Sequence, residues 1–502
     1  MRVVQNQQMQ LGVVDIAAIR FNPKSRDGIP KILKGLQYLY VHEPIRNEIF
    51  ALLETRLCPN VDKSNGRPGM TLWAIFVCGV LRLDLDVDYD FLHELVNHHD
   101  TIRQMLGHGP FNEVEYQYET LMDNVKLLTP ELLDEINQLV VNAGHVLIKK
   151  KVADEVLRGR CDSFVVKTDV HFPTDISLLF DAMRKVIELI AKWCERCGMS
   201  DWRQSAYNVR HLKRLMRTAQ NKKRSKAQSE ELIKKNETAI IEAHQEYLSV
   251  AEHYLSKARE TLSKLVQQQE EQSESAVQQQ RKITNFMQHA ARQIEQTRRR
   301  VIEGKTIAHD EKVFSIFEPH TEWISKGKAG VPVELGVKVC ILEDQHQFIL
   351  HHHVMQKQTD EQVAVSMVLG AKKRFPQLNA CSFDKGFHSQ ENQTKLRECL
   401  EKVTLPRKGK LSQQAKAQEQ EADFTKARRA HSAVESAINA MGVHGLDKCR
   451  DHGIDGFKRH VALAIVARNI HRIGAILWQQ EQESALRKNN RNAHAPPHKK
   501  AA

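Results

Sequence analysis

The sequence predicts an α/β chain in which a core of short strands and helices is split by a long, wholly helical insertion. Three observations predict it. Val331, Val333, Leu335, Val337, Val339 and Ile341 alternate with Pro332, Glu334, Gly336, Lys338, Cys340 and Leu342, the period of two of a half-buried strand. Between about 177 and 304 the pairs Ile240-Ile241, Tyr247-Leu248 and Tyr254-Leu255 recur every seven residues, the period of packed long helices. Ser163-Phe164-Val165-Val166 reads as a buried strand opened by Asp162, and a carboxylate at such a mouth is costly unless something positive answers it.

A chain of 502 residues, 41% of them hydrophobic, is long enough for two to four domains and at least one sizeable core. Lys plus Arg number 74 against 62 Asp plus Glu, a net charge of +12 that favours a polyanionic partner. The start, "MRVVQNQQMQLGVV", lacks the apolar core of a secretion signal. The run Leu72 to Leu81 is too short for roughly 30 Å of hydrocarbon and is followed by Arg82 and Asp84, so it reads as a buried helix. The nine cysteines form no small-domain framework and fit a reducing cytoplasm. Cys194 and Cys197 lack a second pair at zinc-ligand spacing and read as ordinary thiols on a helix.

In chain order, residues 1–150 are expected to form a helical N-terminal domain that binds DNA. Ser64 to Met70 is a loop, and Phe91, Leu92, Leu95, Val96, Ile102, Met105 and Leu106 mark two short helices across a polar turn. That pair fits a DNA-reading helix-turn-helix and equally a plain α-hairpin. Residues 151–176 begin the catalytic domain, and 177–310 form the helical, coiled-coil insertion. Thr174 or Asp175 caps its first helix. Its two later seams, joined by "QQQEEQSESAVQQQ", predict an antiparallel coiled-coil hairpin, preceded by the basic run Lys222 to Gln228. Residues 311–478 complete the catalytic domain: a strand hairpin turning at "EDQHQ", a helix from Thr359, a strand ending at Asp384, then helix, strand and the basic loop Pro406 to Lys410. Helices follow at about 424–441 and 456–479, and 479–502 is expected to be a basic, disordered tail.

Three carboxylates stand apart. Asp162 begins a strand, Asp384 ends another, and Glu435 lies on a helix whose Val434, Ile438 and Met441 would face a sheet. Acids at two strand ends and on a late helix, in this element order, are the arrangement of a ribonuclease-H-like core. Three converging like charges need cations, and an all-oxygen donor set selects magnesium or manganese. Asp169 and Asp175 read as turn and cap residues. His351-His352-His353 places imidazoles on both faces of one strand, a weak metal motif far in sequence from the acids.

The stretches "DSFVVKTDVHFPTDISLLFDAMRK", "FEPHTEWISKGKAGVPVELGVKV", "FDKGFHSQEN" and "RRAHSAVESAINAMGVHGLDKCRDHGIDGF" resemble bacterial insertion-sequence transposases with an Asp-Asp-Glu active site. The likeness spans most of 70–478, with the helical insertion matching only loosely. It implies that Asp162, Asp384 and Glu435 are the catalytic acids and hold two Mg2+ or Mn2+ ions. It further implies binding of terminal inverted repeats, strand cleavage, transfer of the freed 3′ end to target DNA, a homodimer, and residence on the bacterial nucleoid in the cytoplasm. Lys326, Lys328, Arg407, Lys408, Lys410, Arg428 and Arg429 are the candidate DNA-binding cations. The chain departs from many such relatives four before and seven after the Glu, where Arg and Lys are replaced by His431 and Gly442, with Lys448 farther on. Two other readings stay open: a catalytically inactive coiled-coil DNA-binding repressor, and a ribonuclease-H-like nuclease without strand transfer.

Overall fold

The computed structural model describes residues 3–4, 14–22, 25–57, 69–149, 156–222, 229–267, 273–325 and 332–493. The chain is mixed α/β, 66% helical, with one mixed seven-stranded sheet. It divides into two compact units, one of residues 1–169 with 324–502 and the other Val170–Trp323.

The first unit opens with helices α1 (Ile29–Val41), α2 (Glu43–Leu57), α3 (Leu72–Asp84), α4 (Tyr89–His98), α5 (Asp100–Met105), α6 (Tyr118–Val125) and α7 (Pro130–Lys149). The apolar run does form a helix interior to the protein: every residue of α3 is buried, and Thr71 caps it by accepting from the Ala74 N–H. Strand β1 (Leu157–Thr168) enters the sheet, and the chain leaves for the second unit.

That second unit packs four helices, α8 (Asp175–Arg196), α9 (Ser205–Asn221), α10 (Glu230–Gln267) and α11 (Glu274–Thr297), around one core. Of the two candidate caps, Thr174 serves, its hydroxyl accepting from Ser177 N at 3.2 Å while Asp175 pairs with Arg300 at 3.0 Å. The two expected hairpin helices, α10 and α11, do pack on each other, but inside a larger helical core. Helix α11 packs most extensively on α8, because the face of Leu179, Met183, Val186, Ile187 and Ile190 needs a partner as much as the two later seams do. Most of the basic run before α10 lies outside the described residues.

Back in the first unit, the chain adds β2 (Glu322–Ser325), β3 (Val333–Glu343), β4 (Ile349–Met355), α12 (Asp360–Arg374), β5 (Leu378–Phe383), α13 (Gln390–Cys399) and β6 (Lys402–Thr404). Then come α14 (Gln413–Gln420), α15 (Ala422–His431), α16 (Ala433–Met441), β7 (Lys448–Cys449) and α17 (Gly453–Ala493). Strand order is β2-β3-β1-β5-β6, with β4 also on β3 and β7 on β1. β3 runs antiparallel to β1 and β4, while β1–β5 and β5–β6 are parallel. The β3–β4 turn is held by Asp344, whose carboxylate accepts from the His346 and Phe348 N–H groups.

Strand β3 is less one-sided than its alternation predicts. From Gly336 onward only Lys338 escapes full burial, since helices cover both faces. The boundary drawn at about residue 150 does not coincide with a boundary between cores. Leu33, Phe76 and Leu133 of the N-terminal helices, Val339 and Phe383 of the sheet, and Val461 of α17 belong to one continuous core. Helices α1 and α17 approach so closely that a Cβ on Gly474 would lie 1.8 Å from the Lys31 carbonyl, so glycine is required there. The end of the chain differs too: α17 runs unbroken through 479 to Ala493, and 494–502 lie outside the described residues. This helix is long and apolar enough, by length and composition, to cross a membrane, yet 67% of its most apolar window is buried within the protein.

Candidate functional site

Parallel pairing builds the site. Cys161 on β1 is in register with Phe383 on β5, so Asp162, which lies inside β1 and not at its start as expected, stands beside Asp384 just past the end of β5. Behind Asp384 the chain turns through Lys385–Phe387. Phe387 is buried on Phe383, and its carbonyl accepts from Asn392 Nδ2 at 2.9 Å. Helix α16 packs on β1 through buried Val434, Ala437 and Met441, and its first turn carries Glu435. The expected single helix over 424–441 is broken at Ser432, whose hydroxyl donates to the Arg429 carbonyl at 2.7 Å. Ser432 competes with the helix for that carbonyl, and α16 starts afresh with Glu435 exposed.

Asp162 is half-buried and takes one hydrogen bond, from the Ser163 N–H at 2.7 Å. Burial, the larger effect, together with the charges of Asp384, Asp360 and Glu435, outweighs that bond and pushes its carboxyl up to about 6. Asp384 and Glu435 are therefore near enough to act on Asp162, although the donor atoms of the three sequence-predicted acids do not all lie within 4.8 Å of one another.

Asp360 is the group that reading the sequence missed. It begins α12, accepts from Ser163 Oγ at 2.6 Å and pairs with Lys338 Nζ at 3.3 Å. Its only sequence signal, "TDEQ", is that of a helix start, and the structure uses Thr359 and Gln362 there as a capping box. His431, the residue standing where an Arg was expected, donates or accepts at Ser382 Oγ (3.0 Å). Burial holds its imidazole below the usual range although Asp384 and Glu435 lie beside it.

The candidate DNA-binding cations divide. Lys408 bridges the Gly386 carbonyl (2.9 Å) and Glu361 (3.3 Å), so it braces the Asp384 turn. The Arg407 main chain donates to Glu419. Lys410, Arg428 and Arg429 are exposed, and Arg428 is 4.0 Å from Glu419. Lys326 and Lys328 lie outside the described residues. Lys448 is committed to Asp169 at 2.6 Å. In the His351–His353 run, His352 lies 3.4 Å from Asp134 and His353 2.7 Å from Gln358, while His351 Nδ1 is buried without a hydrogen-bond partner among the described residues. Helix α5 has six residues, and Arg103 on it donates to the carbonyls of Asn97, Asn112 and Val114. That favours the packed α-hairpin over a helix presented to DNA.

The donor set of Asp162, Asp384 and Glu435 is all carboxylate, with burial first and the neighbouring acids second pushing the Asp162 carboxyl up to about 6. Such a group fits hard divalent cations, which would relieve the repulsion. No protein-family model, curated protein or solved structure matches the chain.

Proposed function

We propose that this protein is a DNA transposase of the Asp-Asp-Glu type, with a ribonuclease-H-like core that cleaves and joins phosphodiester bonds. The observation that carries the reading is that Asp162 and Asp384 lie side by side on adjacent parallel strands and Glu435 lies on a helix packed on the first, each near enough to act on the Asp162 carboxyl. The sheet supports it: β4-β3-β1-β5-β6, three antiparallel strands followed by two parallel ones with a helix before each, is the order expected of that core. The +12 net charge is suited to a polyanionic substrate.

Asp162, Asp384 and Glu435 would hold Mg2+ or Mn2+. A bound pair of such ions supplies an activated water or 3′-hydroxyl and stabilises the leaving oxygen in in-line displacement. The chain's own residues set up that chemistry. Lys338 pairs with Asp360 and the Ser163 hydroxyl donates to it, while the Ser163 N–H takes one oxygen of Asp162. Lys408 and Asn392 hold the turn that aims Asp384. His431 fills the space between β5 and α16 as a neutral ring, adding no charge beside the acids. Arg428, Arg429 and Lys410 are exposed donors for phosphates.

The test is nicking of supercoiled plasmid by the full chain with magnesium, followed by capture of 3′ ends on a second DNA. Nicking and joining are expected with wild type and neither with Glu435→Gln. Nicking without joining would make the protein a nuclease, and DNA binding with no nicking a repressor.

A further inference from the structure

A second group of ligand-type side chains lies in the same unit, built from three elements far apart in sequence. Asp84 ends α3, His444 sits in the turn after α16, and His471 is in the middle of α17. Their donor atoms all lie within 4.8 Å of one another. Both imidazoles present Nδ1 to the one carboxylate, His444 at 3.0 Å and His471 at 3.0 and 3.1 Å from its two oxygens. The ring centroids are 4.9 Å apart. The Asp84 side chain is 1% exposed, His444 9% and His471 17%.

The local backbone is shaped to make this meeting possible. His444 and Gly445 leave helical geometry, Gly445 at φ 84, a conformation open to glycine at little cost. A Cβ there would also meet Leu83 Cδ1 at 2.8 Å, so the turn is pressed against the end of α3 as closely as glycine allows. His460 Nε2 holds it from α17, 2.8 Å from the Gly445 carbonyl. The nearby ion pairs leave Asp84 to the imidazoles: the guanidinium of Arg82, two residues before it, is committed to Asp451 at 2.8 Å.

From this geometry we infer that Asp84, His444 and His471 form a binding site for one zinc-class divalent ion, which pins α3, the turn behind α16 and α17 together. Two nitrogens and one carboxylate oxygen suit zinc or cobalt, not magnesium. Zinc bonds of about 2.0–2.2 Å place tetrahedral ligands roughly 3.3 Å apart, so the observed contacts need open by only a few tenths of an ångström. The Asp84 main-chain carbonyl, 3.0 Å from His444 Nδ1, is within reach as a further donor. Protons are the competitor, because an Nδ1 that donates to Asp84 has no lone pair for a metal. A dication would answer the buried Asp84 charge more fully than hydrogen bonds from imidazoles do.

The experiment strips the full-length protein with chelator, then titrates zinc by calorimetry and cobalt(II) by visible absorption. Wild type is expected to take one ion per chain, with the intense d–d bands of a tetrahedral cobalt site. His471→Gln, at the most exposed of the three positions, should bind more than about 100-fold more weakly, since even outer-shell changes cost 10–100-fold. Far-UV circular dichroism checks that this variant folds. An Asp162→Asn/Asp384→Asn/Glu435→Gln variant should keep the zinc site, which separates it from the acidic cluster. No zinc uptake by wild type, octahedral cobalt spectra, or uptake lost in the triple variant but retained in His471→Gln would each overturn the assignment.

Discussion

Two carboxylate centres in one compact unit meet burial in opposite ways. At Asp162 the neighbours are three more acids, and burial and repulsion together push its carboxyl up to about 6. At Asp84 burial alone would do the same, but hydrogen bonds and charge from His444 and His471 win, and its carboxyl is held below the usual range. Close by, Arg82 stacks on Tyr89 at 4.2 Å and pairs with Asp451, which also takes Arg459 at 3.1 Å. At the second centre imidazole and guanidinium groups already meet the acids, whereas the first keeps unanswered negative charge on half-buried Asp162, where the pairing of β1 with β5 ends. Charge left unpaired where solvent and ligand can reach it marks a functional site better than the mere presence of acids.

The largest effect should come from removing the unanswered charge. Asp162→Asn, Asp384→Asn and Glu435→Gln are each expected to abolish nicking while duplex binding, read by mobility shift, is kept or improved. A variant that nicks at the wild-type rate removes its residue from the site.

Breaking the paired centre should act on stability. Arg82→Ala leaves Asp451 buried with one partner fewer, and such losses cost about 3–5 kcal/mol. Denaturant unfolding should show a drop of this order, and a change under about 1 kcal/mol would mean that Arg459 suffices.

The pH dependence of stability sharpens the contrast. Because Asp162 binds its proton more tightly folded than unfolded, its contribution is fully present below about pH 4 and is lost as pH rises through about 6. Metal-free Asp162→Asn should therefore match wild type near pH 4 and exceed it above pH 6 by on the order of 2 kcal/mol. Thermal melts across that range check it; parallel curves would show that Asp162 is ionised without cost.

The smallest effect is expected at Asp360, whose charge Lys338 already answers. Asp360→Asn should lower the Asp162 carboxyl by less than about one unit, seen as an acid shift of its carbon-detected titration.

How much of this could be read in the sequence follows from the range of the interactions. Local patterns were legible: the alternation of β3, the heptads of α10, the fully apolar α3, and the strand end that carries Asp384. Asp162, expected to open its strand, lies inside β1, whose first half was hidden by Arg158, Gly159 and Arg160. What depended on partners distant in sequence was not. The α8 face gave no sign that α11 would cover it, and β3 could not announce helices on both sides. His444 and His471 stand 360 and 387 residues from Asp84, beyond any spacing rule. Asp360 was hidden for a different reason, since an acid at a helix start is explained by the helix alone. Ser432 broke a helix whose apolar positions run on through it, because one side-chain hydroxyl outcompeted the local pattern.

The central claim is that Asp162, Asp384 and Glu435 form one metal-holding centre, and Mn2+ binding followed by electron paramagnetic resonance tests it most directly. Titrating Mn2+ into the metal-free full chain near neutral pH should show two bound ions in wild type, spin-coupled through their shared ligand. In Asp162→Asn that coupled signal should vanish, with at least one ion lost. Identical binding curves and spectra for the two proteins would contradict the account.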